Sequence, residues 1–487
     1  MSNLNTVDLS KKVKGTLYGP NEALDGNFTF LNKASKDDIV IRHWINGKGI
    51  QIAHEKEVSC LITQNPQENA IEIAKELNLP LIVTDHIEYA TAYALKCSVQ
   101  KYAKNAFKMS VTGTNGKSTT THLLFTIFSD MGFNTYTNTD AESEGNTLID
   151  PRVSDELADY YNKNGNIDVI ALEVSEVQGW DDKLMNNHSC QMINALGSDV
   201  AVITNASFDH MNLVESFDEL LYEISGAARA LKMQDKETLL VLNYEDENIR
   251  KMAEVVGDNS NVKVMYFGDY DASHLLDISY KEKIGIFSGD ELYVSYDDLP
   301  FTSNHFIQDI MAALAVCEYK SLDRTAVVSS LKNYKPLARR FIKLRENPII
   351  IDDFAHNPSG IHLTIENGAK LGEHLFVIDA IRGSRGEEIN KEIAEALVEV
   401  LNQQENYTLI LTTSNDVVNN LNTVTDSELD IFTGVLDENA ISYELFDTLE
   451  ESLISTFNGA NETDVILLLG AQGMDPARNI LEEKEII

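Results

Sequence analysis

The chain is 487 residues long, 43 % hydrophobic and 24 % charged, and its 77 acidic against 39 basic side chains give a formal net charge of −38. A length above the ~250–300 residues at which single cores stop growing points to several domains. So acidic a surface disfavours a general DNA or RNA binder, no run of about 18 apolar residues offers a membrane span, and the opening MSNLNTVDLSKKVKG lacks the apolar stretch of a signal peptide.

From the N-terminus, short apolar runs rich in β-branched residues alternate with helical patterns. SCLITQ (59–64) and PLIVTD (80–85) read as the strands of two short βα units within residues 1–105. FKMSVT (107–112), DVIALEVS (168–175), DVAVIT (199–204), TLLVLN (238–243) and VKVMYFG (262–268) follow as strands of a central domain, 106–335. NPIIIDDFAH (347–356), HLFVIDAI (374–381), YTLILTT (407–413) and VILLLGAQG (465–473) belong to a third domain, 336–487, entered through the basic, proline-bearing NYKPLARR (333–340). Strands so continuously apolar, separated by helices, indicate parallel sheets covered on both faces, so the fold class is α/β throughout. There are no internal repeats. Cys60, Cys97, Cys190 and Cys317 are far apart and show no metal-ligand spacing, which fits buried thiols in a reducing cytoplasm.

Cations gather in one place. Of 11 arginines, Arg339, Arg340, Arg345, Arg382 and Arg385 fall within 47 residues. In so acidic a chain such a cluster either forms surface ion pairs or collects an anionic ligand.

The stretch MSVTGTNGKSTT (109–120) joins a predicted strand to a predicted helix. It has the Gly-Lys-Ser of a phosphate loop, but Val111 stands where the common G-x-x-x-x-G-K-[ST] pattern has its first glycine. After it, Leu123, Leu124, Ile127, Phe128 and Met131 keep helical spacing, and Gly132 is a stop signal. Gly113 and Gly116 therefore fall in a strand-to-helix turn, where backbone N–H groups and the helix N-terminus can face an anion. Lys117 adds a point charge, and Ser118 or Thr119 can put a hydroxyl on Mg²⁺.

The form T-G-T-N-G-K-S-T resembles the ATP loop of the Mur ligase family, which includes folylpolyglutamate synthases and cyanophycin synthetases. Further segments carry the resemblance in order: Glu173-Val-Ser175, Thr204-Asn-Ala-Ser-Phe-Asp-His210, Arg340-Phe341 and Asp353-Phe-Ala-His-Asn-Pro358. It implies three domains: an N-terminal α/β domain that binds a UDP-linked substrate, a central P-loop ATPase-like domain with a parallel sheet, and a C-terminal Rossmann-like domain that closes on ATP and the amino acid. The implied chemistry is amide ligation: a carboxylate takes the γ-phosphoryl group of ATP, and an amine displaces phosphate from the acyl phosphate. The charge this gathers must be neutralised.

On that resemblance Gly113, Thr114, Asn115, Gly116, Lys117, Ser118 and Thr119 hold ATP, joined by Asn304, His305, Arg340, Asp353 and His356. Lys117, Glu173 and His210 are the implied catalytic groups; Ser118, Glu173 and His210 are the implied Mg²⁺ ligands, with Asp209 orienting them. Ser175, Arg385 and Asn357 are the implied substrate contacts. Phe306 stands where the family has Asn or Gln, and Ala228 where many members carry a carbamoylated lysine, with Lys232 a turn beyond. The D-N-P-R signature of diaminopimelate-adding members is absent, TTSNDV (412–417) standing there instead, and Gly470-Ala-Gln-Gly-Met-Asp475 replaces the usual G-K-G-H-E. The expected activity is ligation of an amino acid to a UDP-linked cell-wall peptide precursor by a cytoplasmic monomer. The departures resemble pseudomurein peptide ligases, and folate, cyanophycin or tetrapyrrole substrates and a non-ligating ATPase switch are the alternatives.

Overall fold

The computed structural model describes residues 4–139, 150–180, 183–207, 213–258, 261–300, 303–419 and 422–487. They form two compact units, one running through Ala206 and resuming at Leu213–Tyr334, the other Lys335–Ile487.

The first unit holds two main sheets. The N-terminal one has five strands, in the order Thr16–Tyr18, Leu81–Val83, Cys60–Thr63, Ile39–Ile41 and Phe28–Thr29. All are parallel except the edge strand Thr16–Tyr18. This is more sheet than two βα units, because its outer strands are only two or three residues long and carry little pattern. Helix Arg152–Asn164, which belongs to the central part of the chain, ties the two sheets together. Its Asp155 accepts a hydrogen bond from Thr29 Oγ1 at 2.5 Å and pairs with Lys33 at 2.6 Å.

The central sheet has nine strands, in the order Glu291–Ser295, Gly285–Ser288, Ile278–Lys281, Val262–Asp269, Thr238–Asn243, Val200–Ile203, Phe107–Thr112, Val169–Glu173 and Thr135–Thr137. Seven strands are parallel and the first two are an antiparallel extension. Helix Lys117–Asp130 covers the sheet through Leu123, Leu124, Ile127 and Phe128, the residues whose spacing predicts it. Helix Asn304–Tyr319 lies alongside, with Ile310, Leu314 and Cys317 in the same core. Each large apolar side chain buried there contributes roughly 1.5–3 kcal/mol.

The second unit is one six-stranded sheet ordered Ile342–Glu346, Ile349–Asp353, Val465–Leu469, Leu375–Ala380, Tyr407–Thr412 and Tyr443–Phe446, parallel except for its first strand. The last strand of the chain lies between Ile349–Asp353 and Leu375–Ala380, so connections diverge beside it. In open α/β sheets such a switch point, at the carboxyl ends of the strands, is where ligands bind.

Candidate functional site

Strand Phe107–Thr112 runs between Val169–Glu173 and Val200–Ile203, with Glu173 opposite Val111 and Ile203 opposite Thr112. Parallel pairing thus delivers Glu173 and Thr204 to the end where the chain turns into helix Lys117–Asp130. The turn is a glycine structure for steric reasons. Gly113 has φ +120°, and a Cβ there would lie 2.3 Å from Thr204 Oγ1. Gly116 has φ +82°, and its Cβ would lie 2.1 Å from Asp309 Oδ1. Between them the loop is held by its neighbour. Thr114 N donates to Asn205 O (3.0 Å) and Asn115 N to Asn205 Oδ1 (2.9 Å). Asn115 O accepts from Thr204 Oγ1 (2.6 Å) and Asn205 Nδ2 (2.9 Å). Gly116→Ala should therefore distort the loop, since left-handed backbone and a buried clash coincide. A thermal midpoint lowered by several degrees together with weakened nucleotide binding is the expected measurement.

Lys117 is folded over this loop. Its Nζ donates to Gly113 O (2.7 Å) and Thr114 O (2.8 Å) and pairs with Glu176 Oε2 at 3.0 Å. Ser118 Oγ donates to Glu173 Oε1 at 3.1 Å, and Thr139 Oγ1 to Glu173 Oε2 at 3.3 Å. Asn138 exchanges two hydrogen bonds with the Glu173 backbone. Thr119 is buried behind the loop, and Thr120 Oγ1 donates to Asp309, whose carboxyl burial holds well above the usual carboxylate range. The structure therefore brings Gly113, Thr114, Asn115, Gly116, Lys117, Ser118, Thr119 and Glu173 together. Glu176 is the member sequence reading missed; the signal was a second acid three residues after Glu173, at the same strand end.

Other candidates have their own local jobs. Ser175 Oγ donates to Val177 O (2.5 Å), while Ser175 O bonds His188 Nδ1 at 2.9 Å, a buried imidazole lowered to about 4 by burial. Asn304 is exposed and opens helix Asn304–Tyr319; His305 packs on Phe306 (ring centroids 4.1 Å apart) and burial lowers it to about 4, so it is neutral near pH 7. Ala228 is fully buried, and Lys232 Nζ donates to Val255 O at 3.1 Å. Asp209 and His210 lie outside the described residues.

In the second unit, Asp353 ends strand Ile349–Asp353 and accepts from Ala355 N at 2.8 Å. Burial raises its carboxyl to about 6 against the opposing charge of Arg340. The Arg340 guanidinium lies 4.8 Å from the Phe354 ring, and His356 Nδ1 meets Phe354 O at 2.9 Å. Asn357 caps helix Pro358–Gly368, accepting from Gly360 N at 2.8 Å, so Pro358 opens a helix. The Arg385 side chain is exposed on a loop whose Ser384, Arg385 and Gly386 N–H groups all donate to Glu428. The arginine cluster divides. Arg339 is buried, bonded to Asp352, Asp475 and the carbonyls of Gly470 and Ala471, and Arg345 holds the carbonyls of Asn347 and Ile486. Asp379, an acid in an apolar strand just as Glu173 is, lies buried and is raised to about 7 by burial, with Arg382 opposing.

Residues 111–317 match the family model of the Mur ligase middle domain. The match covers less than half of the chain. It contains the whole of the loop, Glu173, Glu176 and helix Asn304–Tyr319 up to Cys317. The chain is 25 % identical over 295 residues to UDP-N-acetylmuramate–L-alanine ligase of Ligilactobacillus salivarius (strain UCC118), covering 58 % of this chain and 57 % of that one. It spans about half the length of the curated relatives it matches, 57 % and 50 % of the first two. Its fold is similar to the crystal structure of MurF from Acinetobacter baumannii, with TM-score 0.69, 14 % identity and 99 % of each chain covered. It is also similar to the MurF ligase of Thermotoga maritima in complex with ADP, with TM-score 0.63, 16 % identity, and 95 % and 98 % covered.

A divalent cation is implied by this middle domain, and its residues fit one. The Ser118 hydroxyl and Glu173 carboxylate, 3.1 Å apart at the helix N-terminus, form an all-oxygen donor set suited to Mg²⁺. Among the described residues no three His, Cys, Asp or Glu side chains gather as a metal site by themselves. Among the described residues no helix is long and apolar enough to cross a membrane.

Proposed function

We propose that this chain is an ATP-dependent ligase that joins an amino acid to a UDP-linked cell-wall peptide precursor through an acyl phosphate, releasing ADP and phosphate. The loop carries this reading: glycines at 113 and 116, Lys117 at its centre and Ser118 bonded to Glu173 form a pinned phosphate cradle inside a Mur ligase middle domain. The curated relative named for ligating L-alanine to UDP-N-acetylmuramate supports the substrate class.

In this reading residues 1–105 hold the UDP-linked substrate, 106–335 the ATP, and 336–487 the incoming amino acid. Lys117 and the N–H groups that open helix Lys117–Asp130 orient the polyphosphate and draw off its charge. Mg²⁺, held by Ser118 and Glu173 with His210 as a further ligand, neutralises phosphate oxygens when bound. Asn304 and His305 border the base; Arg340, Asp353 and His356 serve the nucleotide from the C-terminal unit, and Ser175, Arg385 and Asn357 the substrates. The enzyme works as a cytoplasmic monomer.

The test is ADP and phosphate release measured with and without each substrate, across UDP-linked peptides, folates and single amino acids. Release that requires both a carboxylate and an amine is expected, fastest with a UDP-linked acceptor. Release indifferent to both would leave a non-ligating ATPase, and dependence on a folate would move the substrate class.

A further inference from the structure

We propose that Glu176 competes with the nucleotide for Lys117 and so sets how tightly the loop holds polyphosphate. The inference rests on reading Gly113–Thr119 as the nucleotide loop.

An ammonium group has three protons to give, and acceptors around Lys117 Nζ include Gly113 O at 2.7 Å, Thr114 O at 2.8 Å and Glu176 Oε2 at 3.0 Å. Two of them are carbonyls of the loop itself, which stay with the lysine wherever the loop goes. The third is different in kind. Glu176 carries a full negative charge, the same sign as phosphate, and its side chain is 0 % exposed, while Lys117 keeps 14 %. Solvent, and an anion arriving from it, reaches the lysine and not the glutamate. Polyphosphate entering the cradle must therefore draw the ammonium off Glu176 or share it, against a carboxylate with no water to screen it.

A structural counter-ion and a competitor predict opposite signs. If Glu176 only holds Lys117 in place, removing its charge loosens the lysine and weakens nucleotide binding. If it competes, removing the charge strengthens binding, most when no cation neutralises the phosphates. The burial of the carboxylate beside the binding face favours the second.

Calorimetric titration of the full chain with ADP, in EDTA and in Mg²⁺, decides between them, using wild type, Glu176→Gln, Glu176→Asp and Lys117→Met. Glu176→Gln should bind ADP about tenfold tighter or more in EDTA, with a smaller gain in Mg²⁺. Glu176→Asp, whose carboxylate is drawn back by one methylene, should shift the same way by less, and it carries the test if the amide variant does not fold. Unchanged or weaker ADP binding in the folded variants would overturn the competition, and so would failure of both to fold, which makes Glu176 a structural counter-ion. Wild type that ignores ADP, or Lys117→Met that binds it equally well, would instead overturn the loop assignment on which the inference stands.

Discussion

Lys117→Met should abolish ligation, lowering turnover by about a thousandfold or more, the scale of losing a charged donor at a phosphoryl-transfer site. It should also lower the thermal midpoint of the first unit. Methionine keeps the length of the stem but strands Glu176, which is fully buried and 3.0 Å from the lost ammonium. Removing one partner of a buried pair costs roughly 3 kcal/mol. The two effects separate in the double variant Lys117→Met/Glu176→Gln, which should regain most of the midpoint and stay inactive. Steady-state phosphate release and differential scanning calorimetry on the three proteins measure both. Turnover within tenfold of wild type in Lys117→Met would take the lysine out of the reaction.

Neighbouring arginines should behave in opposite ways. Arg339→Ala is expected to destabilise the second unit by about 3 kcal/mol, because it leaves Asp352, 2 % exposed, without its cation and frees the carbonyls of Gly470 and Ala471. Arg340→Ala removes a guanidinium stacked on Phe354 and should cost no more than about 1 kcal/mol. Its effect should fall on activity instead. Arg340 holds Asp353 down against burial, so without it Asp353 takes its proton at higher pH and the acid limb of the pH–rate profile moves upward. Urea unfolding and pH profiles of both variants check this. An Arg339→Ala protein as stable as wild type, or an Arg340→Ala protein with an unmoved acid limb, would contradict the division.

Much of the molecule was legible because parallel strands buried on both faces leave continuous apolar runs. Every predicted strand from 59–64 to 465–473 is present, and the helix expected after the loop is Lys117–Asp130. What escaped notice is the structure whose pattern is set by edges. Ile342–Glu346, just past the basic linker, is partly exposed along its whole length, and Glu291–Ser295 and Gly285–Ser288 extend the central sheet on its open margin. At the site, the glycines and Lys117 are recognisable since their chemistry is tied to spacing along one segment. Glu176 and Arg339 are not, because Glu176 meets Lys117 from 59 residues away and Arg339 meets Gly470, Ala471 and Asp475 from more than 100, and only the fold chooses them. Among five clustered arginines, composition alone cannot tell the one that holds a core together from those that face a ligand.

The bonds from Thr204 and Asn205 to the loop have a kinetic consequence. Flexible phosphate loops must be ordered as the ligand arrives, and fixing each residue costs about 1–2 kcal/mol of backbone entropy. Here Thr114 and Asn115 are already fixed at both backbone N–H groups and at the Asn115 carbonyl, by a neighbouring strand end rather than by the nucleotide. Capture then needs no ordering of this backbone, only the exchange of Lys117 between Glu176 and the ligand. Association should be fast and only weakly temperature-dependent, and differences in affinity among loop variants should surface in the dissociation rate.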